Sequence, residues 1–335
     1  MSDIKNIIKK QSVKKIVNRI LLKLSIYYSR ILKKPVLWGE PSSLSIEPTT
    51  SCNLHCPECP TGKNELTRPK GYINFELFKK IIDTSYKTLG YLLLYHQGEP
   101  FLHKEFFKLI SYAVKKNIYT ATSTNGHFIN SGTAEKIISS GIDKIIISID
   151  GASRESYEKY RIGGDYNTVI EGLKSLVNTK KLLKSAKPFI EVQFLVNRYN
   201  EHQINSIKEL INDIGADKLS LKTMQIYDLN NNAHFLPVNN KYNRYKKNDK
   251  GEYEIKSKLP NHCWRMWSSA VITWDGKIIP CCFDKDAKYI FGSLKESSLN
   301  EIWKSNTYND FRKKILTSRR QIDICNNCTE GLKIK

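Results

Sequence analysis

The stretch "TTSCNLHCPECPTG", residues 49–62, places Cys52, Cys56 and Cys59 on one turn-rich segment with Pro57, Pro60 and Gly62. The spacing is C-x3-C-x2-C, and it follows directly on the apolar run "LSIEP" at 44–48. Three thiolates on one loop suit two kinds of centre. They can hold three corners of a cubane iron–sulfur cluster and leave the fourth iron without a protein ligand, or they can bind a structural zinc ion completed by a distant Cys or His. The triplet by itself leaves both open, so its surroundings must choose.

The chain is 335 residues long, 40% apolar and 10% aromatic, enough to bury a large core. It carries eight cysteines, and "MSDIKNIIKK" is followed by no signal-peptide apolar region or cleavage site. Reduced ligand thiols in a cytoplasmic protein are therefore expected, rather than a disulfide framework. The most apolar N-terminal piece, "ILLKLSIYYSRIL" at 20–32, is interrupted by Lys23 and Arg30, so no spanning segment is expected. Of the net charge of +21, +8 lies in residues 1–40, and the rest is spread without a dense basic block or a nucleic-acid-binding motif. That distribution argues for a solvated lysine-rich surface and against a nucleic-acid partner.

Outward from the cysteine loop, short apolar runs recur: "YLLLY" (91–95), "IYTATST" (118–124), "KIIISID" (144–150), "FIEVQFLV" (189–196) and "KLSLKT" (218–223). Helical spacing separates them near 75–88, 104–116, 133–140, 166–179 and 203–214. With "LSIEP" this makes six strands, each followed by a helix or crossover, which predicts a parallel α/β sheet. Before it, Val13, Ile16, Val17, Ile20, Leu24, Tyr27 and Ile31 recur at helical spacing among basic residues. They predict a basic amphipathic helix that rests on a membrane surface or caps the next domain. Residues 226–262, with "LNNNAHF" and "NRYKKNDKGEYEIK", are polar and aperiodic and read as a connector. Beyond them come a strand pair about the turn "WDGK" (274–277), a helix near 299–315, and the other five cysteines. The expected division is a helical extension (1–40), an α/β domain (41–225), the connector (226–262) and a small cysteine-bearing domain (263–335).

Four short motifs fall in order at strand ends: "CNLHCPEC" (52–59), "QGEP" (97–100), "STNG" (123–126) and "SIDG" (148–151). In register with a parallel-strand pattern, they resemble the radical S-adenosylmethionine (SAM) superfamily over about residues 42–330. The resemblance implies a partial (β/α)6 TIM-type barrel with every motif at the C-terminal mouth of the strands. It implies that Cys52, Cys56 and Cys59 ligate a [4Fe-4S] cluster whose open iron is chelated by SAM. Carried over position by position, it implies that Gly98, Glu99 and Pro100 receive the SAM amino group. Ser123 and Asn125 would meet the methionine or ribose portion, Ser148 and Asp150 the ribose side, and Arg161 of "YEKYRIGG" the carboxylate. Two positions depart from the family pattern: Gln97 stands where a glycine is usual, and Glu58 where many members place an aromatic near the adenine.

The later cysteines, Cys263-x12-Gly276-x4-Cys281 with Cys325-x2-Cys328, resemble the C-terminal SPASM domain or its shortened relative, twitch. That likeness implies one auxiliary [4Fe-4S] cluster held by Cys263, Cys281, Cys325 and Cys328. Cys282 is the spare thiol, or exchanges roles with Cys281. A zinc ribbon on the same residues is the alternative.

The implied activity is reductive cleavage of SAM to a 5′-deoxyadenosyl radical that takes hydrogen from a substrate. An electron donor such as flavodoxin or ferredoxin would be the partner. A closed auxiliary cluster points to dehydrogenation of a small molecule or carbohydrate intermediate. A peptide or protein substrate, an epimerisation, or a metal-binding scaffold without catalysis are the alternatives. Residues 1–40 are too short for a leader-peptide-binding domain. His96, Lys222 and Asp284 are candidates for the base by position alone, and Gln193 also falls near a strand end.

Overall fold

The structure, a computed structural model, describes residues 3–329; the outer ends of the expected 1–40 and 263–335 segments lie outside them. Two helices come first, α1 (Asp3–Lys9) and α2 (Val13–Leu32). Six strands follow: β1 (Ser43–Ile46), β2 (Tyr91–Leu94), β3 (Tyr119–Thr124), β4 (Lys144–Ser148), β5 (Phe189–Val196) and β6 (Lys218–Thr223). Between them run α3 (Phe75–Ser85), α4 (Phe106–Lys115), α5 (Ser131–Ser139), α6 (Arg154–Tyr160), α7 (Tyr166–Leu182) and α8 (Ile204–Ile214). Neighbouring strands pair in parallel and in chain order, as the alternating pattern predicts. Side-chain caps start the helices where the sequence supplies them, Asn74 for α3, Asn130 for α5 and Asp165 for α7. Helix α6 escaped the sequence reading because seven residues hold too few turns to show a period.

Strand alternation sorts the two faces of the sheet. Leu44, Ile46, Leu92, Leu94, Ile145 and Ile147 are wholly buried beneath the helices. On the inner face the register aligns Ser123 with Ile146 and Glu191, and one step nearer the mouth Ser148 with Gln193 and Ser220. Lys222 sits at the rim of that face, opposite Leu195.

The remainder departs from the expected layout in three places. The connector contains a short helix, α9 (Leu229–Asn232), and a hairpin of β7 (Tyr245–Lys247) with β8 (Tyr253–Ile255). Its turn is held by Asn248 Oδ1, which accepts from Lys250 N and Glu252 N, both at 3.0 Å. Three-residue strands are too short to show alternation in sequence. After α10 (Arg265–Ser268), strand β9 (Ser269–Ile272) turns through "WDGK" into β10 (Lys277–Ile279), which pairs with β11 (Gly292–Ser293). Strand β9 also pairs in parallel with β1. The C-terminal part is thus continuous with the barrel in one nine-stranded sheet, ordered β11-β10-β9-β1-β2-β3-β4-β5-β6. Finally, the single helix expected near 299–315 is two, α11 (Leu299–Lys304) and α12 (Asn306–Ser318). Ser305 between them is extended, and its hydroxyl accepts from Tyr308 N at 3.2 Å to cap the second.

Helix α2 lies where the sequence puts it but docks on its other side. Lys15, Asn18, Leu22, Ser25 and Ser29 are buried, while all seven apolar residues that defined the helix are exposed. Capping the domain by the apolar stripe is therefore not what the helix does.

Candidate active site

The loop after β1 is tied to each neighbouring strand end. Glu99 N donates to Ser51 O at 2.7 Å, fixing the β2 loop to the cysteine loop. Asn125 Nδ2 donates to Asn53 Oδ1 at 2.7 Å, fixing the β3 loop to it. From beyond β4, Arg161 Nη1 lies 3.9 Å from Cys56 Sγ. Within the loop, Leu54 N approaches Cys52 Sγ at 3.5 Å and Cys59 N donates to Cys56 O at 3.1 Å. Burial pushes the Cys52 thiol up to about 11, with the negative charge of Glu99, Cys59 and Cys56 adding to it. Burial raises Cys56 also, against the pull of Arg161. Grouped, partly enclosed thiols of this kind take up their ionised form when cationic metal is present.

Gly98 makes this junction possible. Its φ is +72°, and a Cβ there would stand 2.7 Å from Ser51 O, 2.8 Å from Thr50 C and closer still to Thr49 O. The clash is with backbone, so nothing flexible can give way. Gly98→Ala is expected to destabilise the fold by about 2–4 kcal/mol and to lower iron uptake. Thermal unfolding and iron content of the reconstituted variant measure both, and native values for the two would refute the crowding argument.

The expected SAM-facing residues separate into two kinds. Glu99, Asn125, Asp150 and Arg161 are knotted into the protein itself. Glu99 accepts from Thr124 Oγ1 at 2.7 Å, Asn125 N at 2.8 Å and Phe101 N at 3.2 Å, while burial raises its carboxyl to about 7. Pro100 opens the short turn that Glu99 caps. Asp150 accepts from Arg161 Nε at 2.6 Å and from Leu195 N at 2.7 Å. Ser123 and Ser148, by contrast, lie at the mouth end of β3 and β4, and their hydroxyls make no hydrogen bond among the described residues. Gln97, the departure from glycine, is buried, with its Oε1 accepting from Thr61 Oγ1 at 3.0 Å.

The three base candidates fare poorly. Asp284 accepts from Lys288 N at 2.8 Å and Tyr289 N at 2.9 Å, so both carboxylate oxygens are committed to shaping the 284–289 loop. His96 is buried without a well-formed partner for either ring nitrogen, the backbone of Asp284 making the one favourable approach. Burial, with Arg68 and Lys285 nearby, pushes its imidazole down to about 3, which makes it a hydrogen-bond acceptor and a weak base. Lys222 is exposed on the rim.

Sequence reasoning missed two cations near this mouth. Arg244 is buried, donates through Nη2 to Thr223 O at 2.5 Å at the end of β6, and leaves Nε and Nη1 without partners. Lys285 has its ammonium 5.0 Å from the Tyr227 ring, close enough to Cys59, Arg244 and Glu58 to feel their charges. Glu58 is buried, with one oxygen accepting from Tyr227 N at 2.9 Å, the Asn232 side chain also approaching the carboxylate, and the other oxygen without a well-formed partner. Arg244 and Lys285 sit in aperiodic segments without a motif, so only Glu58 carried a signal, as an acid where an aromatic is usual.

The second cysteine group closes on one narrow cavity lined by Cys263, Cys281, Cys325 and Cys328. Cys282 is exposed outside it, with Arg265 Nη1 3.3 Å from its sulfur. Arg319, almost wholly buried, brings Nη2 within 3.4 Å of Cys328 Sγ while Nη1 donates to His262 O at 2.7 Å. Among the described residues no three His, Cys, Asp or Glu side chains close on a point as ligands of a single ion; at this second group the thiols surround a space.

Residues 46–184 match the model of the radical SAM superfamily, and residues 263–329 match that of an iron–sulfur cluster-binding domain, SPASM. The chain belongs to the radical SAM superfamily. This radical SAM enzyme is 26% identical over 317 residues to the tungsten-containing aldehyde ferredoxin oxidoreductase cofactor-modifying protein of Pyrococcus furiosus, covering 85% of this chain and 86% of that one. It is 27% identical over 283 residues to the PqqA peptide cyclase of Granulibacter bethesdensis, covering 78% and 74%. Among solved structures, anSMEcpe with bound AdoMet shares the fold at a TM-score of 0.61 and 18% identity, over 88% of this chain and 90% of that one. BtrN in complex with AdoMet and 2-DOIA does so at a TM-score of 0.54 and 17% identity, over 86% and 92%.

The cofactors of this radical SAM enzyme are SAM, a [4Fe-4S] cluster and auxiliary iron–sulfur ligation in the SPASM domain. The residues fit them. Three grouped thiols beside open serine hydroxyls suit a cluster with one exchangeable iron, and four thiols about one cavity, balanced by Arg319, suit a cluster that is fully ligated.

Proposed function

We propose that this enzyme dehydrogenates a carbon bearing oxygen or nitrogen in a small-molecule or carbohydrate substrate. In this reading residues 41–225 form the radical-generating barrel, 226–262 cover its mouth, and 263–335 hold the auxiliary cluster. Cys52, Cys56 and Cys59 would hold the first cluster. Gly98, Glu99 and Pro100 would receive the SAM amino group, Ser123, Asn125, Ser148 and Asp150 its other polar parts, and Arg161 its carboxylate. The open hydroxyls of Ser123 and Ser148 support this, as does the Arg161 face turned to Cys56.

The observation that carries the reaction type is the closed set of four thiols with Cys282 left outside. A cluster with every iron ligated has no site for chelating substrate, so its use is to take an electron. The cluster that Cys52, Cys56 and Cys59 would hold would supply reductive cleavage of SAM and, through it, removal of one hydrogen atom from the substrate carbon. The neighbouring oxygen or nitrogen would give its proton to solvent, and the cluster that Cys263, Cys281, Cys325 and Cys328 would hold would accept the remaining electron. The product lacks two hydrogens, and an external reductant such as flavodoxin or ferredoxin supplies the electron for SAM. Inside the mouth, Arg244, Lys285, Glu58 and His96 offer under-paired polar groups that suit a polar substrate.

A peptide substrate is the second reading. A cleft of about 860 Å³ between the β7–β8 hairpin and the C-terminal segment, lined by Gln225, Tyr227, Tyr253, Phe283 and Asn327 among others, has room for one. A relative is named a peptide cyclase, and the structure of Streptococcus suis SuiB bound to precursor peptide SuiA matches at a TM-score of 0.63 and 14% identity, over 93% of this chain and 75% of that one.

Candidate substrates made by neighbouring genes, deuterated at carbon, test the reaction. Deuterium should appear in 5′-deoxyadenosine, and the product should be lighter by one H–D pair. An otherwise unchanged product carrying solvent hydrogen would mean epimerisation and sink the oxidation.

A further inference from the structure

Helix α2 is fastened to the protein by its polar side. Asn18 Nδ2 donates to Glu40 O and Asn18 Oδ1 accepts from Glu40 N, both at 2.9 Å. Ser25 Oγ accepts from Trp38 N at 2.9 Å, and Ser29 Oγ accepts from Val36 N at 2.8 Å and Trp267 Nε1 at 3.1 Å. Lys15 Nζ donates to Asn117 O at 2.6 Å, and Leu22 is wholly buried among these contacts. With so many directed bonds on one side, the helix has no freedom to roll its apolar face inward.

That face stays in solvent, its residues ranging from 42% exposed at Leu24 to 78% at Val13. Ile4 and Ile8 of α1 extend it at one end. At the other, Tyr27, Tyr28 and Trp38 are exposed, with the Tyr28 and Trp38 rings 5.3 Å apart. At 3.6 residues per turn, Arg19, Lys23 and Arg30 run along one edge of the stripe and Lys14 along the other. All four are exposed, and the helix contains no acidic residue.

We propose that this face seats the enzyme on an anionic lipid surface, with α2 lying in the plane of the headgroups. An apolar stripe with a row of cations along one edge, Lys14 on the other and aromatic rings at one end matches the layering of acyl chains beneath anionic headgroups. A second copy would bring like-charged edges together. No helix among the described residues is long and apolar enough to cross a membrane, so the contact is peripheral. The helices also fix which way the enzyme faces. Asp3 bonds Tyr119 and Lys144 at the starts of β3 and β4, and Lys15 meets Asn117 just before β3. The docking face is therefore at the N-terminal end of the strands, and the cysteine, Gly98 and Ser148 loops open on the opposite end, towards water.

Flotation of the full-length, cluster-loaded protein tests this, with vesicles of phosphatidylcholine alone or mixed with phosphatidylglycerol. The protein should float with the mixed vesicles only, and less as salt is raised. Ile20→Glu with Leu24→Glu, and separately Arg19→Glu with Lys23→Glu, should each lower the bound fraction about tenfold or more, with unchanged circular dichroism. Three outcomes would overturn the proposal: no flotation of the wild type, equal flotation with neutral vesicles, or a wild-type dimer in sedimentation that Ile20→Glu with Leu24→Glu makes monomeric. The last would assign the face to a second copy.

Discussion

Cys56→Ala should leave the reduced protein unable to form 5′-deoxyadenosine from SAM. Anaerobic reconstitution of the native chain should load about eight irons as two cubanes, and this variant should retain about four. Cys56 is the most enclosed of the three loop thiols and is the one that Arg161 faces at 3.9 Å. On the proposed ligation, alanine there would remove one corner of the cluster and leave a partly buried guanidinium whose remaining ion pair among the described residues is with Asp150. The remaining pair, Cys52 and Cys59, cannot position an iron with one open site. Product analysis by chromatography, beside iron and sulfide content, reads the result directly. SAM cleavage at the native rate would show that the 52–59 loop does not hold the initiating cluster.

What could be read beforehand was local in sequence. The triplet, "QGEP", "STNG" and "SIDG" each span a few residues, and each marks the end of a strand that a short apolar run had already located. The parallel order of β1 to β6 followed from the helices between them. Three features were hidden because they depend on contacts distant in the chain. The pairing of Ser43–Ile46 with Ser269–Ile272 joins strands more than two hundred residues apart, and four-residue strands carry no signal of their neighbour. The hydrogen bonds that hold Glu99, Asn125 and Asp150 in place depend on partners such as Thr124, Asn53 and Leu195. The inverted docking of α2 ran against the ordinary rule that an apolar stripe faces the core. Its cause is a row of Asn18, Ser25 and Ser29 whose backbone partners, Glu40, Trp38 and Val36, come only after the chain turns back.

Cys325→Ser and Cys282→Ser should behave oppositely, and the contrast separates an auxiliary cluster from a bystander. Cys325 and Cys282 belong to one five-cysteine group, yet Cys325 lines the cavity with Cys263, Cys281 and Cys328 whereas Cys282 lies outside it beside Arg265. Losing Cys325 opens a coordination position and removes about four irons, while the barrel loop is untouched. SAM cleavage without substrate should therefore persist in Cys325→Ser, and on the proposed dehydrogenation conversion of substrate should fall to background because the electron left on the substrate radical would have no acceptor. Cys282→Ser should keep native iron content and native turnover, since it deletes an exposed thiol. Circular dichroism guards against a folding artefact, because Arg319 is tied to the same cavity and its loss of a thiolate partner could loosen the 319–328 segment. Two results would discard the electron-acceptor role: zinc in place of iron at this site, or full substrate turnover in Cys325→Ser. Loss of the cluster in Cys282→Ser instead would exchange the parts given to Cys281 and Cys282, and the cavity geometry would then have to rearrange on metal binding.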